Sequence, residues 1–203
     1  MSTKAVIVFL RAPEKDKVKT RLSEYLNKSF VLELYKGFVL DTLDALKTAG
    51  DIILYYRPIK KKRMLEKWLG NEYAFSCQKG DNIGQRMANA FQDVFEDGYE
   101  KVLLIGTDIP EINDEIIELG FTILSTRDAV VGPSNDGGYY LIGFNKAVFS
   151  KGVFKNINWS TQHVLDETLD RFDMTKISYG CLPELNDIDT LKDLKALAKR
   201  VIK

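Results

Sequence analysis

AVIVFL at residues 5–10 runs straight into RAPEKDKVKTRL at residues 11–22, an unbroken apolar stretch followed by a strongly basic loop. A continuous apolar run of this length is what a strand covered on both faces requires. Outward from it, apolar spacing alternates between strand and helix. Val31, Leu34, Tyr35, Phe38, Thr42, Leu43 and Leu46 recur at helical intervals, and Gly50 follows as a stop. Further strands are predicted at 51–56, 73–77, 101–106, 128–132, 139–144 and 177–180. Helices are predicted at 59–69, 83–95, 114–124, from near Ser160 to Phe172, and at 191–201. Strands alternating with helices imply βαβ units. The predicted fold is therefore α/β: a three-layer αβα, Rossmann-like domain over residues 1–203, with about seven mostly parallel strands. In such sheets ligands bind outside the carboxyl ends of the strands, where the strand order switches.

Composition narrows the function. The 203 residues are 45% apolar and 29% charged, ordinary values for a soluble globular chain. Lys plus Arg and Asp plus Glu are both 29, so no overall field draws a polyanion, and nucleic-acid binding is disfavoured as the main role. Cys77 and Cys181 lack metal-ligand spacing and read as reduced thiols packed as small apolar groups. The run at 5–10 is too short for a signal peptide or a membrane span, so a cytoplasmic location without membrane attachment is expected. His163 is the one histidine and falls in a first helical turn, which leaves no Ser-His-Asp or Cys-His arrangement for covalent hydrolysis.

Three post-strand segments carry candidate chemistry. In the first, Lys15, Lys17, Lys19 and Arg21 crowd one loop. Ammonium groups and an Arg fork suit phosphate oxygens, so the loop reads either as a polyphosphate site or as a solvated basic surface. In the second, LLIGTDIP at 103–110 ends a buried strand on Asp108. A hard carboxylate there suits Mg²⁺ or Mn²⁺ shared with substrate phosphates; its bland role is to cap the next helix. In the third, GPSNDGGYY at 132–140 is a hairpin signal. Alternatively Gly137 and Gly138 admit a substrate close to the backbone while Asp136 contacts an acceptor hydroxyl. Arg86, inside a helix, reads first as the partner of an acidic neighbour. Asp189 reads first as the cap of the last helix, and Ser160 as the cap of the helix before it.

Six segments in order resemble one family: KTRL at 19–22, NIGQRM at 82–87, LLIGTDIP at 103–110, GPSNDGGYYLIG at 132–143, WST at 159–161 and LNDIDTLKDL at 185–194. Together they resemble the GT-A, or nucleotide-diphospho-sugar transferase, superfamily. Within it they are most similar to glycosyltransferase-like selenodomain-associated transferases and more distantly to phospholactate guanylyltransferases. The resemblance implies a GT-A-like sheet and a nucleotide-activated donor with a small-molecule acceptor. It implies nucleotide contacts from Arg11, Lys17, Lys19, Thr20, Arg21 and Arg86, with Lys19, Arg21 and Asp108 acting in catalysis. An acceptor side would comprise Asp136, Gly137, Gly138, Tyr139, Trp159, Ser160 and Thr161. Mg²⁺ or Mn²⁺ would sit on Asp108. The chain departs from the family in having Arg11 where Lys is usual and in offering one acid, Asp108, instead of a DxD pair. A second metal ligand is expected from Asp187 or Asp189, with Asp189 the choice here. The basic loop favours nucleotidyl transfer from a nucleoside triphosphate. Glycosyl transfer from a nucleotide sugar and non-catalytic nucleotide binding are the alternatives.

Overall fold

A computed structural model describes residues 3–201. The first strand, β1 (Lys4–Arg11), is followed by a single-turn helix α1 (Thr20–Ser23) and the long α2 (Lys28–Ala45). Then come β2 (Asp51–Arg57), α3 (Lys62–Leu69), β3 (Ala74–Cys77), α4 (Ile83–Glu96) and β4 (Lys101–Ile105). The second half comprises α5 (Asp114–Ile123), β5 (Ala129–Pro133), β6 (Tyr139–Asn145), α6 (Val164–Thr175), β7 (Tyr179–Cys181) and α7 (Leu191–Val201).

The strands form one sheet in the order β3-β2-β1-β4-β6-β5-β7. β6 runs antiparallel to β4 and β5, and the remaining pairings are parallel. This is the α/β, mostly parallel, GT-A-like architecture expected from the sequence. β1 shows why its residues are apolar throughout. Val6, Val8 and Leu10 pack on one face with Tyr35, Val39 and Leu43 of α2 and with Ile117 of α5. Ala5 and Ile7 pack on the other with Met87, Phe91 and Val94 of α4. A strand with both faces covered has no place for alternating polar residues.

The strand order switches beside β1: β2 and β3 extend one way and β4 lies on the other side. A crevice opens at that point, at the carboxyl ends of the strands. Two expectations are corrected here. α6 starts at Val164, because Ser160 has a left-handed φ of 67° and cannot sit in the helix. Cys181 is exposed at the edge strand instead of buried, while Cys77 is half-buried.

Candidate active site

Each central strand delivers a polar residue to the crevice as its sheet pairing ends. β1 ends at Arg11, in register with Arg57 at the end of β2; Gln78 follows β3, and Thr107 and Asp108 follow β4. The residue before Pro58 closes β2, and the Arg57 carbonyl accepts from the Ala12 N–H at 2.9 Å. Tyr35 of α2 fixes the start of the basic loop. Its hydroxyl donates to the Arg11 carbonyl and accepts from the Arg11 N–H, both at 2.9 Å. Burial outweighs the bond accepted from the Arg11 N–H and pushes the Tyr35 pKa well above the usual phenol value, so it stays a neutral clamp.

The crevice has two lobes that share Phe9, Arg21, Ile83, Asp108, Ser160 and Asp189. The first, of about 650 Å³, is cationic and is lined by Arg11, Lys19, Thr20, Arg21, Arg57 and Arg86. The second, of about 660 Å³, is acidic and holds Asp108, Asp136, Asp187 and Asp189 together with Tyr139 and Trp159. Both volumes are in the usual range for small-molecule sites.

Three arginines stand together in the cationic lobe. Among the described residues none of Arg11, Arg57 and Arg86 forms a salt bridge. Arg11 donates to the Lys17 carbonyl at 3.0 Å, and the Arg86 Nε is buried without a partner. Burial, with repulsion from Arg57 and Arg11, pulls the Arg86 pKa below its usual value. The expected acidic partner of Arg86 is therefore not there, and an anion is what these groups lack. Arg57, the last residue of β2, and Gln78, the residue after β3, lie outside any sequence motif. The Gln78 amide donates to the carbonyls of Tyr55 at 2.9 Å and Leu10 at 3.3 Å, which spends its N–H groups on the sheet.

Lys19 joins the two lobes. Its backbone is left-handed (φ 46°, ψ 48°), an uncommon state for a non-glycine residue. Its Nζ lies 2.7 Å from Asp108 Oδ1 and 3.0 Å from Asp189 Oδ1. The Lys19 side chain is only 3% exposed, against 49% for Asp108 and 41% for Asp189. Burial opposes the ammonium, but the two carboxylates outweigh it and hold the Lys19 pKa above the ordinary lysine value. Arg21 is 71% exposed and lies 3.7 Å from Asp189 Oδ2. Lys17 points elsewhere: it is exposed and lines neither lobe.

Asp189 reaches Asp108 because the Ile188 N–H donates to the Asp108 carbonyl at 3.0 Å. It does not cap α7. Asp193 takes the N–H and hydroxyl of Thr190, both at 2.7 Å, so the cap is Thr190 with Asp193 and the Asp189 side chain is left for the crevice. Burial, then Asp136 and Asp189, hold the Asp187 carboxyl above the usual range at about 6.

In the hairpin turn, Asp136 Oδ1 accepts from Ser134 Oγ at 2.5 Å and from the Gly138 N–H at 2.9 Å. Gly138 and Asp136 line the acidic lobe, but Gly137 does not. At φ 85° a Gly137 Cβ would meet the Gln162 carbonyl oxygen at 2.1 Å, so its missing side chain serves the protein's own backbone and not a substrate. Thr161 lines the lobe, and its hydroxyl donates to the Asn158 carbonyl at 2.8 Å.

The donor set fits a hard divalent cation. Two carboxylates already face one cation between them. Among the described residues no three acidic, His or Cys side chains form a ready cage, so the remaining ligands would be water and substrate oxygens, the usual arrangement for Mg²⁺.

The DUF2064 family model, described as an uncharacterised protein conserved in bacteria, matches residues 41–161. The chain belongs to the DUF2064 family. The match takes in Arg57, Gln78, Arg86, Asp108 and the hairpin turn. The chain is also 28% identical over 182 residues to 2-phospho-L-lactate guanylyltransferase of Methanocaldococcus infernus, covering 87% of this chain and 77% of the relative. A solved candidate nucleotide-diphospho-sugar transferase from Desulfovibrio desulfuricans G20 superposes with a TM-score of 0.95 at 37% identity, over 98% of this chain and 88% of that one. The manganese complex of Rv0371c from Mycobacterium tuberculosis H37Rv shares the fold, with a TM-score of 0.61 at 14% identity over 97% of this chain and 98% of that one. This DUF2064 member is an enzyme with the GT-A-like fold. Among its described residues no helix is long and apolar enough to cross a membrane.

Proposed function

We propose that this enzyme transfers a nucleotidyl group from a nucleoside triphosphate to a small acceptor. The observation that carries the reading is the crevice itself, with unpaired cations in one lobe, carboxylates in the other, and Lys19 and Asp108 in contact at the junction. The triphosphate occupies the cationic lobe and the acceptor the acidic one, beside Asp136, Gly138, Tyr139, Trp159, Ser160 and Thr161. An acceptor phosphate or hydroxyl oxygen attacks the α-phosphorus, the bond to the bridging oxygen of the β-phosphate breaks, and pyrophosphate leaves, a hydroxyl acceptor giving up its proton to solvent. Lys19 and Arg21 are positioned to offset charge building on the leaving group, and Arg11, Arg57 and Arg86 to hold the phosphate chain. Asp108 and Asp189 would hold Mg²⁺ or Mn²⁺, which when bound supplies Lewis-acid charge neutralisation at the phosphates. The guanylyltransferase relative supports this reading.

A second reading, sugar transfer from a nucleotide sugar through the same lobes, is favoured by the 37% identical candidate nucleotide-diphospho-sugar transferase. Products separate the two. Incubation with γ-labelled triphosphates and with nucleotide sugars, across a panel of phosphorylated and hydroxylated acceptors, is expected to release pyrophosphate. Release of nucleoside diphosphate from a nucleotide sugar, with no pyrophosphate from any triphosphate, would move the assignment to glycosyl transfer.

A further inference from the structure

The Lys19 ammonium stands between the two carboxylates named above as the metal pair. It donates to Asp108 Oδ1 at 2.7 Å and Asp189 Oδ1 at 3.0 Å, and its side chain is nearly enclosed. A divalent ion bound to those two oxygens would sit about 2.0–2.1 Å from each if it were Mg²⁺. Ion and ammonium would then share the same oxygens as close neighbours of like charge, so the two occupancies exclude one another.

The ammonium cannot simply withdraw. A charged group left buried and unpaired is costly, so a Lys19 displaced from the carboxylates turns out to solvent when metal enters alone and to another anion when one is bound. The cationic lobe, with its unpaired Arg11, Arg57 and Arg86, is the place where an anion binds within reach. We propose that Lys19 is the resident counter-ion of the Asp108–Asp189 pair, that a divalent cation takes this pair only by displacing it, and that, with substrate bound, metal entry and transfer of Lys19 to the substrate's phosphates are one exchange. The inference rests on the reading of Asp108 and Asp189 as the metal pair. It adds that metal and polyphosphate each raise the other's affinity, since coupling between two bound ligands is reciprocal.

Mn²⁺ alone tests the exchange without reference to turnover. Binding to the full chain is followed by the loss of the free-ion resonance signal, in the native protein and in Lys19→Met. Without its competitor the variant is expected to bind Mn²⁺ at least about tenfold more tightly, within the usual span of site-to-site coupling. Because the variant leaves two carboxylates without their cation, the native protein supplies a second measurement. Acetylation of Lys19, read by mass spectrometry against exposed Lys17 as reference, is expected to rise several-fold when Mn²⁺ is added and to stay flat with sodium at equal ionic strength. Equal Mn²⁺ affinity in the two proteins, or labelling indifferent to Mn²⁺, would overturn the exchange while leaving the transferase reading intact. Failure of both proteins to bind Mn²⁺ would overturn the exchange and the metal assignment together, and product analysis would then judge the transferase reading by itself.

Discussion

Asp187 shows how neighbours set a side chain's behaviour. Burial raises its pKa first, Asp136 and Asp189 add to that, and Lys19 opposes them. With the folded value at about 6, above the unfolded one, the native state binds the proton more tightly. The carboxyl therefore favours folding at low pH, and this contribution is lost as pH rises from the ordinary aspartate range through 6. In metal-free buffer Asp187→Asn is expected to melt higher than the native protein at pH 7.5 and by a clearly smaller margin at pH 4.5. Asp187 is half-exposed, so the full shift is screened. The gain should be about 1 kcal/mol, or roughly 2–4 °C for a chain of this size. Melting curves at the two pH values check this, and an equal offset at both would mean that Asp187 titrates like an ordinary carboxyl. In the sequence, Asp108 is legible as a candidate site residue because it follows a buried apolar run. Local rules alone make Asp189 a helix cap, because they see only Thr190 and the helix beyond it; the resemblance is what puts it at the crevice, since its partners, Lys19 and Arg21, lie far off in sequence.

At the scale of elements, α4 and the 159–161 segment are fitted to one another through Gly84. A Cβ there would fall 2.4 Å from Trp159 Cζ2 and 2.6 Å from its Nε1. Gly84 lies in the first turn of α4 with no unusual φ, so alanine suits the backbone and by propensity would stabilise the helix. The contact with the indole decides the outcome. Gly84→Ala is expected to push Trp159 outward, lower the melting temperature and weaken acceptor use more than nucleotide binding. With Trp68 replaced by Phe, the emission of Trp159 should move to longer wavelength. An unchanged spectrum and melting point would show that the indole is not held by α4. Periodicity alone set out most strands and helices close to where they lie, because both faces of the sheet demand apolar residues. α6 starts later than periodicity places it: Ser160 takes a left-handed φ, and the Leu165 N–H donates to the Gly137 carbonyl of the hairpin at 2.9 Å, a contact that no local pattern encodes. Arg57 and Gln78 were hidden for a related reason: they enter the site through the order of the strands, which no local pattern encodes.

Over the whole molecule the charges cancel, yet along the crevice they are separated. A net charge of zero gives no long-range pull on a nucleotide, so attraction acts within about a Debye length, ~8 Å at physiological salt. The cationic lobe should thus bind polyphosphate through contact with its arginines and not through the field of the protein. Tripolyphosphate, which carries no base, isolates this contribution. A ligand at a hundred times its dissociation constant stabilises the folded state by about 2.7 kcal/mol. In a chain of this size that corresponds to a rise of roughly 5–10 °C in melting temperature. The double variant Arg57→Gln, Arg86→Gln removes two of the three unpaired guanidiniums and should lose more than half of that rise at the same ligand concentration. Its own melting point without ligand should hold or increase, because the burial of the Arg86 charge and its repulsion from Arg57, which together lower the Arg86 pKa, are both relieved. If the double variant kept the full tripolyphosphate shift, the phosphate chain would have to lie on Arg11, Lys19 and Arg21, and the assignment of Arg57 and Arg86 to it would fail.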